Sequence, residues 1–217
     1  NPEIVFTQGY NATPVFYNDI DNFMLCSFTC SEDLISLYNC FDDQEVKDLR
    51  LNAFFEARED EQYKVAKVVE KVYDCFVIRS AELYLNKAEA EAMLDKAEAK
   101  QTIKTLLNNR FEGGIPDVDG LNEKDLISFI RDERRRELCF EAHRWFDLRR
   151  YAVSSKYPEK KSIRHETYDK NGVLEGDYVL KPYGEDPAWV LPIPGYEIVY
   201  NQGNLVDNPQ RVERKLE

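Results

Sequence analysis

Five apolar positions, Ile78, Ala81, Leu85, Ala88 and Ala92, recur at helical spacing and predict the strongest helix of the chain, from Val77 to Leu94. Three of the five are alanine, so a second helix can approach closely. That helix follows at once. Glu98 to Arg110 carries Ala99, Ile103, Leu106 and Leu107 on one side, with Lys96 and its neighbours as the short connection. The expected product is an antiparallel helix pair over residues 77–111, the unit of helical-repeat folds, which leaves a face to be covered by something else. Gly113-Gly114-Ile115-Pro116 closes the pair, and Asn122 with Asp125 resembles a capping box at the start of a charged helical region over residues 123–151.

The flanks are less regular. Glu3-Ile4-Val5-Phe6 reads as a strand, and Thr7 to Thr29 as a long irregular segment carrying Tyr10, Phe16, Tyr17, Phe23 and Phe28. Ser31 caps a predicted helix through Leu34, Ile35, Leu37 and Tyr38, and Asp42-Asp43 breaks it. Asp48 to Glu56 predicts a strand or a short helix. Residues 152–217 are irregular and proline-rich, with Asp177 to Leu180 a candidate strand; Val190 to Pro194 is excluded from any central strand by its prolines. The expected class is mainly α: an α-helical repeat of helix pairs, with long irregular loops and a few short strands.

Composition narrows the partners. Hydrophobic residues make up 43% of the chain, enough for a core, while 41 acidic against 29 basic residues leave a net charge of -12. That balance argues against a nucleic-acid backbone, which needs a basic face. No apolar run reaches the roughly 18 residues of a membrane-spanning helix. No secretory signal opens the chain, and its abrupt start in a strand leads us to expect that the natural N-terminus lies outside it. The cysteines Cys26, Cys30, Cys40, Cys75 and Cys139 are odd in number, without metal-site spacing, and read as small buried thiols. A Cys26–Cys30 or Cys26–Cys40 disulfide is compatible with export but is not decided by the spacing.

The stretch from Asp125 to Tyr151 concentrates the candidate chemistry. Leu126, Ile130, Leu138, Ala142 and Trp145 share an apolar stripe, yet Glu133 and Arg134 continue that stripe between Ile130 and Leu138. Charges on a core-facing side need partners. We therefore expect Arg134, Glu137 and Glu141 to join Arg144 and Asp147 in a structural ion network, partly buried and held bidentately by arginine. Glu137 and Glu141 at this spacing also suggest the acid and base of a glycoside hydrolase, but the arginines around them would keep both ionised and remove the general acid. His143 and His165 lack further ligands, so no metal site is expected. Asp117-Val118-Asp119-Gly120 opens like a calcium loop without its later ligands and reads as a turn. Phosphate-binding loops, nucleophile elbows and zinc-protease motifs are absent from the sequence, and neither a catalytic residue nor a cofactor is expected.

Four segments in order resemble the C-terminal half of the SusD/RagB family, outer-membrane nutrient-binding lipoproteins of Bacteroidetes. They are Ile78 to Ala90, Leu107 to Arg110, Glu133 to Arg150, and Leu191-Pro192-Ile193-Pro194 with Glu197-Ile198, Asn201 and Asn208-Pro209. Weaker matches are Glu3 to Phe6, Ser31 to Leu37 and the arginine-bearing Asp48-Leu49-Arg50. Ala142 stands where the family usually has glycine, which we read as suiting a continuous helix, and Asp207 with Gln210-Arg211 alters the family's closing turn. The resemblance implies that residues 1–217 are a C-terminal domain with tetratricopeptide-like helix pairs. It implies further that the N-terminal helical-repeat half, the signal peptide and the lipidated cysteine lie outside this sequence. By the same resemblance the intact protein is lipid-anchored on the extracellular face of the outer membrane. There it binds an oligosaccharide or other nutrient and passes it to a TonB-dependent transporter.

The family motifs read as scaffold, so ligand residues are sought elsewhere. Sugar recognition needs aromatic faces with polar neighbours, and the segment from Thr7 to Thr29 has that composition. Tyr10, Asn11 and Tyr17 are the candidate ligand-binding residues. Trp189 is expected to be packed, and Tyr168, Tyr178 and Tyr183 are weaker candidates. The competing reading is a helical-repeat scaffold for protein partners, without sugar binding.

Overall fold

The computed structural model describes residues 3–7, 30–39, 41, 46–58, 63–67, 76–169, 171 and 173–209. The chain falls into two compact units, residues 1–144 and 145–217. Among the described residues it is mainly helical, with short two-stranded ladders.

The first unit runs β1 (Ile4–Thr7), α1 (Glu32–Asn39), β2 (Lys47–Asp48), α2 (Arg50–Phe54), β3 (Phe55–Ala57), β4 (Tyr63–Val65), β5 (Phe76–Arg79), α3 (Ser80–Met93), α4 (Glu98–Leu107), β6 (Phe111–Glu112) and α5 (Glu123–Glu137). The ladders pair β1 with β5, β2 with β6 and β3 with β4, all antiparallel. The first two join segments far apart in the chain. The region from Asp48 to Glu56, expected as strand or helix, supplies both.

The alanine seam carries the core. Ala81, Leu85, Ala88 and Ala92 of α3 are buried, and α3 packs on both α4 and α5. Ala99, Ile103 and Leu107 of α4 and Ile127 and Ile130 of α5 are buried with them. Each fully buried leucine or isoleucine side chain among them contributes about 1.5–3 kcal/mol. Ile78 departs from the expected stripe. It lies in β5, is 37% exposed, and the helix starts at Ser80 rather than Val77. The run Phe76-Val77-Ile78 is taken by the ladder to β1, and the Ser80 amide donates to the Glu3 carbonyl at 2.8 Å. A second cluster gathers Leu34, Ile35, Tyr38, Phe55 and Cys139, with the Tyr38 hydroxyl donating to the Arg136 carbonyl at 2.7 Å. Asn122 caps α5 as expected: its Oδ1 accepts from the Asp125 amide at 3.0 Å, and its Nδ2 donates to the Asp125 carboxylate at 2.6 Å.

The continuous helix expected through Ala142 is not formed. α5 ends at Glu137, and Phe140 and Ala142 both adopt the left-handed conformation, with φ of 61° and 63°. A helix cannot continue through such residues, since right-handed geometry needs negative φ. The next helix, α6 (Arg144–Ala152), starts after the break.

In the second unit α6 buries Leu148, Tyr151 and Ala152. A single 3₁₀ turn, Pro187–Trp189, is capped by Asp186, whose Oδ1 accepts from the Ala188 amide at 2.9 Å. Trp189 is 2% exposed. Its ring lies 4.5 Å from that of Trp145, Tyr183 meets it edge-on at 5.9 Å, and its indole N–H donates to the Lys181 carbonyl at 2.7 Å. The stretch expected to be irregular apart from a strand at Asp177 to Leu180 contains a hairpin of β7 (Ile163–Tyr168) and β8 (Leu174–Leu180), and β8 includes that strand. None of its side chains is fully buried. The Asp169 carboxylate closes the turn by accepting from the Asn171 and Val173 amides, and these bonds hold its pKa below the usual aspartate value. The helix α7 (Gly195–Tyr200) follows.

Candidate functional site

Asp48-Leu49-Arg50 makes a compact charged hook between β2 and α2. The Arg50 amide and Nε both donate to Asp48 Oδ1 at 2.9 Å, and Nη2 donates to Oδ2 at 2.7 Å. The same guanidinium reaches α5, donating through Nη1 to Glu133 Oε1 at 2.6 Å and Glu137 Oε2 at 3.0 Å, and through Nη2 to Glu133 Oε2 at 3.1 Å. Every N–H of a planar fork is thereby used, as an ammonium could not manage. Arg136 adds a donor to Glu133 at 2.9 Å and lies over the Phe41 ring.

Glu137 is the hub. Besides Arg50 it accepts from Arg110 Nε and Nη2 at 2.9 and 3.0 Å and from Arg79 Nη1 at 2.9 Å. Arg79 grips Glu141 with Nε and Nη2, both at 2.8 Å, and Lys67 meets Glu141 Oε1 at 2.5 Å. Lys67 also donates to the Glu137 and Cys139 carbonyls at the broken end of α5. Glu3 completes the cluster, accepting from Arg110 Nη2 at 2.9 Å and Arg79 Nη1 at 3.2 Å. Among the described residues, five cations and five carboxylates are thus linked in one network. Burial alone would push the Glu137 carboxyl up, but the hydrogen bonds from Arg110 and the charges of Arg50, Arg110 and Arg79 hold it well below the usual range. Burial opposes ionisation of Glu133 as well, and Arg50 and Arg136 overcome it. Arg50, Arg79 and Arg110 are raised despite their own burial, through these same carboxylates.

A cleft of about 470 Å³ opens above the network. Leu49, Ala53 and Phe54 give it an apolar wall, and Arg79, Arg110 and Glu3 a charged one. Glu137 and Glu141 line it but are spent on arginine and lysine. The Glu137 carboxyl, held well below the usual range, has no proton to donate near neutral pH and cannot serve there as a general acid.

Of the five residues expected in one network, Glu137 and Glu141 lie here. Arg134 instead donates to Asn86 at 2.7 Å and faces Glu82 at 3.6 Å. Asp147 meets Arg150 of its own helix at 3.2 Å, and Arg144 opens that helix after the break. Arg134 lies within α5 and is held by side chains of α3, whereas Arg144 and Asp147 belong to a separate helix that no longer continues the face of α5. Sequence reasoning singled out Glu133 as a core-facing charge without placing it in the network, and missed Glu3, Asp48, Arg50, Lys67, Arg79, Arg110 and Arg136 as the partners. Arg50, Arg79 and Arg110 each stand in a segment that carries the family resemblance, which was the available signal.

Tyr10, Asn11 and Tyr17 lie outside the described residues, as do Cys26, Cys40 and Cys75. Cys30 and Cys139 are free thiols; burial and then the neighbouring Cys139 push Cys30 up to about 12, and burial likewise raises Cys139. Tyr168 and Tyr178 are exposed. Among the described residues no group of three or more His, Cys, Asp and Glu could hold a metal, and no helix is long and apolar enough to cross a membrane. Asp117 forms the expected turn, accepting from the Asp119 amide at 2.9 Å.

The family model described as the SusD family matches residues 50–210. SusD-like protein P2 from Formosa agariphila is 28% identical over 142 residues, which cover 61% of this chain and 25% of that protein. A SusD superfamily protein from Bacteroides thetaiotaomicron has the same fold, with a TM-score of 0.63 at 19% identity over 96% of this chain and 49% of that one. A SusD-like carbohydrate binding protein from Bacteroides vulgatus superposes with a TM-score of 0.57 at 20% identity, over 94% and 48% of the two chains. The chain thus spans about half the length of these solved structures and about a quarter of the curated relative.

Proposed function

The chain belongs to the SusD family, and on that premise we propose that it contributes to non-catalytic binding of a nutrient glycan at the outer-membrane surface, for delivery to a TonB-dependent transporter. The carrying observation is the match over residues 50–210, which includes every charged residue of the network except Glu3 and Asp48. Two supports stand beside it. A relative in fold is a carbohydrate-binding protein, and the two glutamates that most resemble a hydrolase pair are locked to arginine and lysine. In this reading α5 and its ion partners are the scaffold. Tyr10, Asn11 and Tyr17 supply the aromatic and amide contacts to sugar rings and hydroxyls. A lipid anchor elsewhere in the intact protein holds it at the membrane.

The test is affinity electrophoresis of the purified chain through gels containing neutral and acidic polysaccharides, with Tyr10→Ala and Tyr17→Ala alongside. Retardation by at least one glycan, weakened by the two substitutions, is expected. No retardation by any glycan, with capture of a TonB-dependent barrel intact, would replace this reading with a protein-interaction scaffold. Release of sugar products would establish an enzyme instead.

A further inference from the structure

The network closes its charge balance through one residue unlike the others. The side chains of Asp48, Glu133, Glu137 and Glu141 are at most 2% exposed, whereas that of Glu3 is 36% exposed at the mouth of the cleft. Its two oxygens are divided between two guanidinia, Oε1 on Arg110 and Oε2 on Arg79. Those arginines are themselves only 14% and 8% exposed and are anchored from behind by Glu137 and Glu141. They form a fixed, two-pronged receptor for one carboxylate, and Glu3 is the part of it that solvent reaches.

We propose that the Arg79–Arg110 mouth of this cleft is a carboxylate subsite for an acidic sugar, a uronate residue of a glycan, and that Glu3 is an internal surrogate occupying it until displaced. This rests on the glycan-binding reading and names a ligand class for it. Three observations carry it. First, an arriving carboxylate can reproduce both Glu3 contacts, one oxygen on each guanidinium, since charge-assisted hydrogen bonds of this kind do not depend on which molecule provides the oxygens. Second, only an anion restores neutrality. With Glu3 withdrawn, five described cations face four carboxylates, and a neutral sugar hydroxyl would leave one partly buried charge uncompensated. Third, the space and the attachment suit exchange. The cleft of about 470 Å³ lies within the range of small-molecule sites and sets Leu49, Ala53 and Phe54 beside the arginines. That pairing offers an apolar wall to a pyranose face. Glu3 precedes β1, whose ladder to β5 shifts register after Ile4 and again after Phe6, and its backbone is anchored by the Ser80 amide, so the side chain can leave while the main chain stays in place.

Calorimetric titration of the full chain with D-glucuronate, D-glucose and acetate tests this, on the wild type and on Glu3→Gln. Glu3→Gln keeps the side-chain shape and removes the competing charge. The expected result is at least a ten-fold gain in glucuronate affinity, with glucose unchanged and acetate gaining much less than glucuronate. Glu3→Asp, which retracts the carboxylate by one methylene, should move in the same direction by a smaller factor, and it serves if Glu3→Gln does not fold. An equal gain for acetate makes the site an anion hole and overturns the sugar assignment. No gain in a folded variant, judged by near-ultraviolet circular dichroism, or an equal gain for glucose, overturns the subsite. The polysaccharide gels separate the two readings. Wild-type binding of neutral glycans with no Glu3 effect sinks the subsite alone. A Glu3→Gln gain for glucuronate, in a chain that no polysaccharide retards, upholds the subsite and sinks the broader reading.

Discussion

Replacing Ala142 by glycine distinguishes the broken helix from a continuous one by the sign of the change in stability. Ala142 is exposed and has a φ of 63°. Holding an L-residue in that left-handed region costs roughly 1–2 kcal/mol, a strain that glycine does not feel. Against this gain stands the greater freedom of glycine in the unfolded chain, worth about 0.4–1 kcal/mol. The methyl group removed is in solvent, so no cavity is created. The balance is a stabilisation of about 0.5–1 kcal/mol, which in a chain of this size raises Tm by about 1–4 °C. Urea and thermal unfolding followed by circular dichroism measure it. The matched control is Ala90→Gly, at an exposed position inside α3, which should lose about 1 kcal/mol. If Ala142→Gly loses stability like the control, the residue sits in a continuous helix and the account of the break is wrong.

Three other outcomes follow from the same geometry. Arg50→Lys keeps a positive charge but offers three donors where the guanidinium makes contacts to Asp48, Glu133 and Glu137. It should cost about 3 kcal/mol or more in urea unfolding, and a loss under about 1 kcal/mol would refute the role given to the fork. Glu133 and Glu137 are held below the ordinary carboxyl value of 4.5 in the folded chain. Their contribution to stability is therefore complete above that pH and is lost as pH falls below it toward the folded values. The urea midpoint should fall on acidification through this range, and less steeply in Glu137→Gln; identical slopes would count against it. Trp189→Ala empties a site that is 2% exposed and removes the stack on Trp145. It should cost roughly 3–5 kcal/mol, and a near-native melting curve followed by tyrosine near-ultraviolet dichroism would contradict the packing described.

Local periodicity made the α3–α4 pair legible, because its alanine seam repeats along a single element. The start of α3 was not. Phe76, Val77 and Ile78 continue the apolar pattern, and only pairing with Ile4–Thr7, some seventy residues away in the chain, draws them into a strand. The charged helix was half legible. Glu133 on an apolar stripe requires buried partners, and Glu137 and Glu141 do lie among arginines. The partners come from positions 50, 67, 79 and 110, and no spacing rule connects those positions to α5. The break was hidden because two residues with side chains, Phe140 and Ala142, occupy a backbone region that normally announces itself with glycine. In the hairpin, Arg164, His165 and Glu166 give β7 no alternation of apolar and polar positions, since both faces are at least partly in water.

The position of the network makes the charge-dense segment around Glu137 a scaffold first. Glu137 and its neighbours tie together the segment before β1, the hook at the start of α2, the segment after β4, the end of β5 and the segment after α4. Taking away Arg50, Glu133 or Glu137, whose side chains are at most 3% exposed, leaves a buried charge uncompensated, a penalty of about 3–5 kcal/mol, so the constraint on these residues is mutual. Only at Glu3 does the network reach solvent with a carboxylate that another molecule could imitate. A rigid base that is neutral within itself, and open to exchange at one corner, leaves selectivity to the corner and to the loops around it.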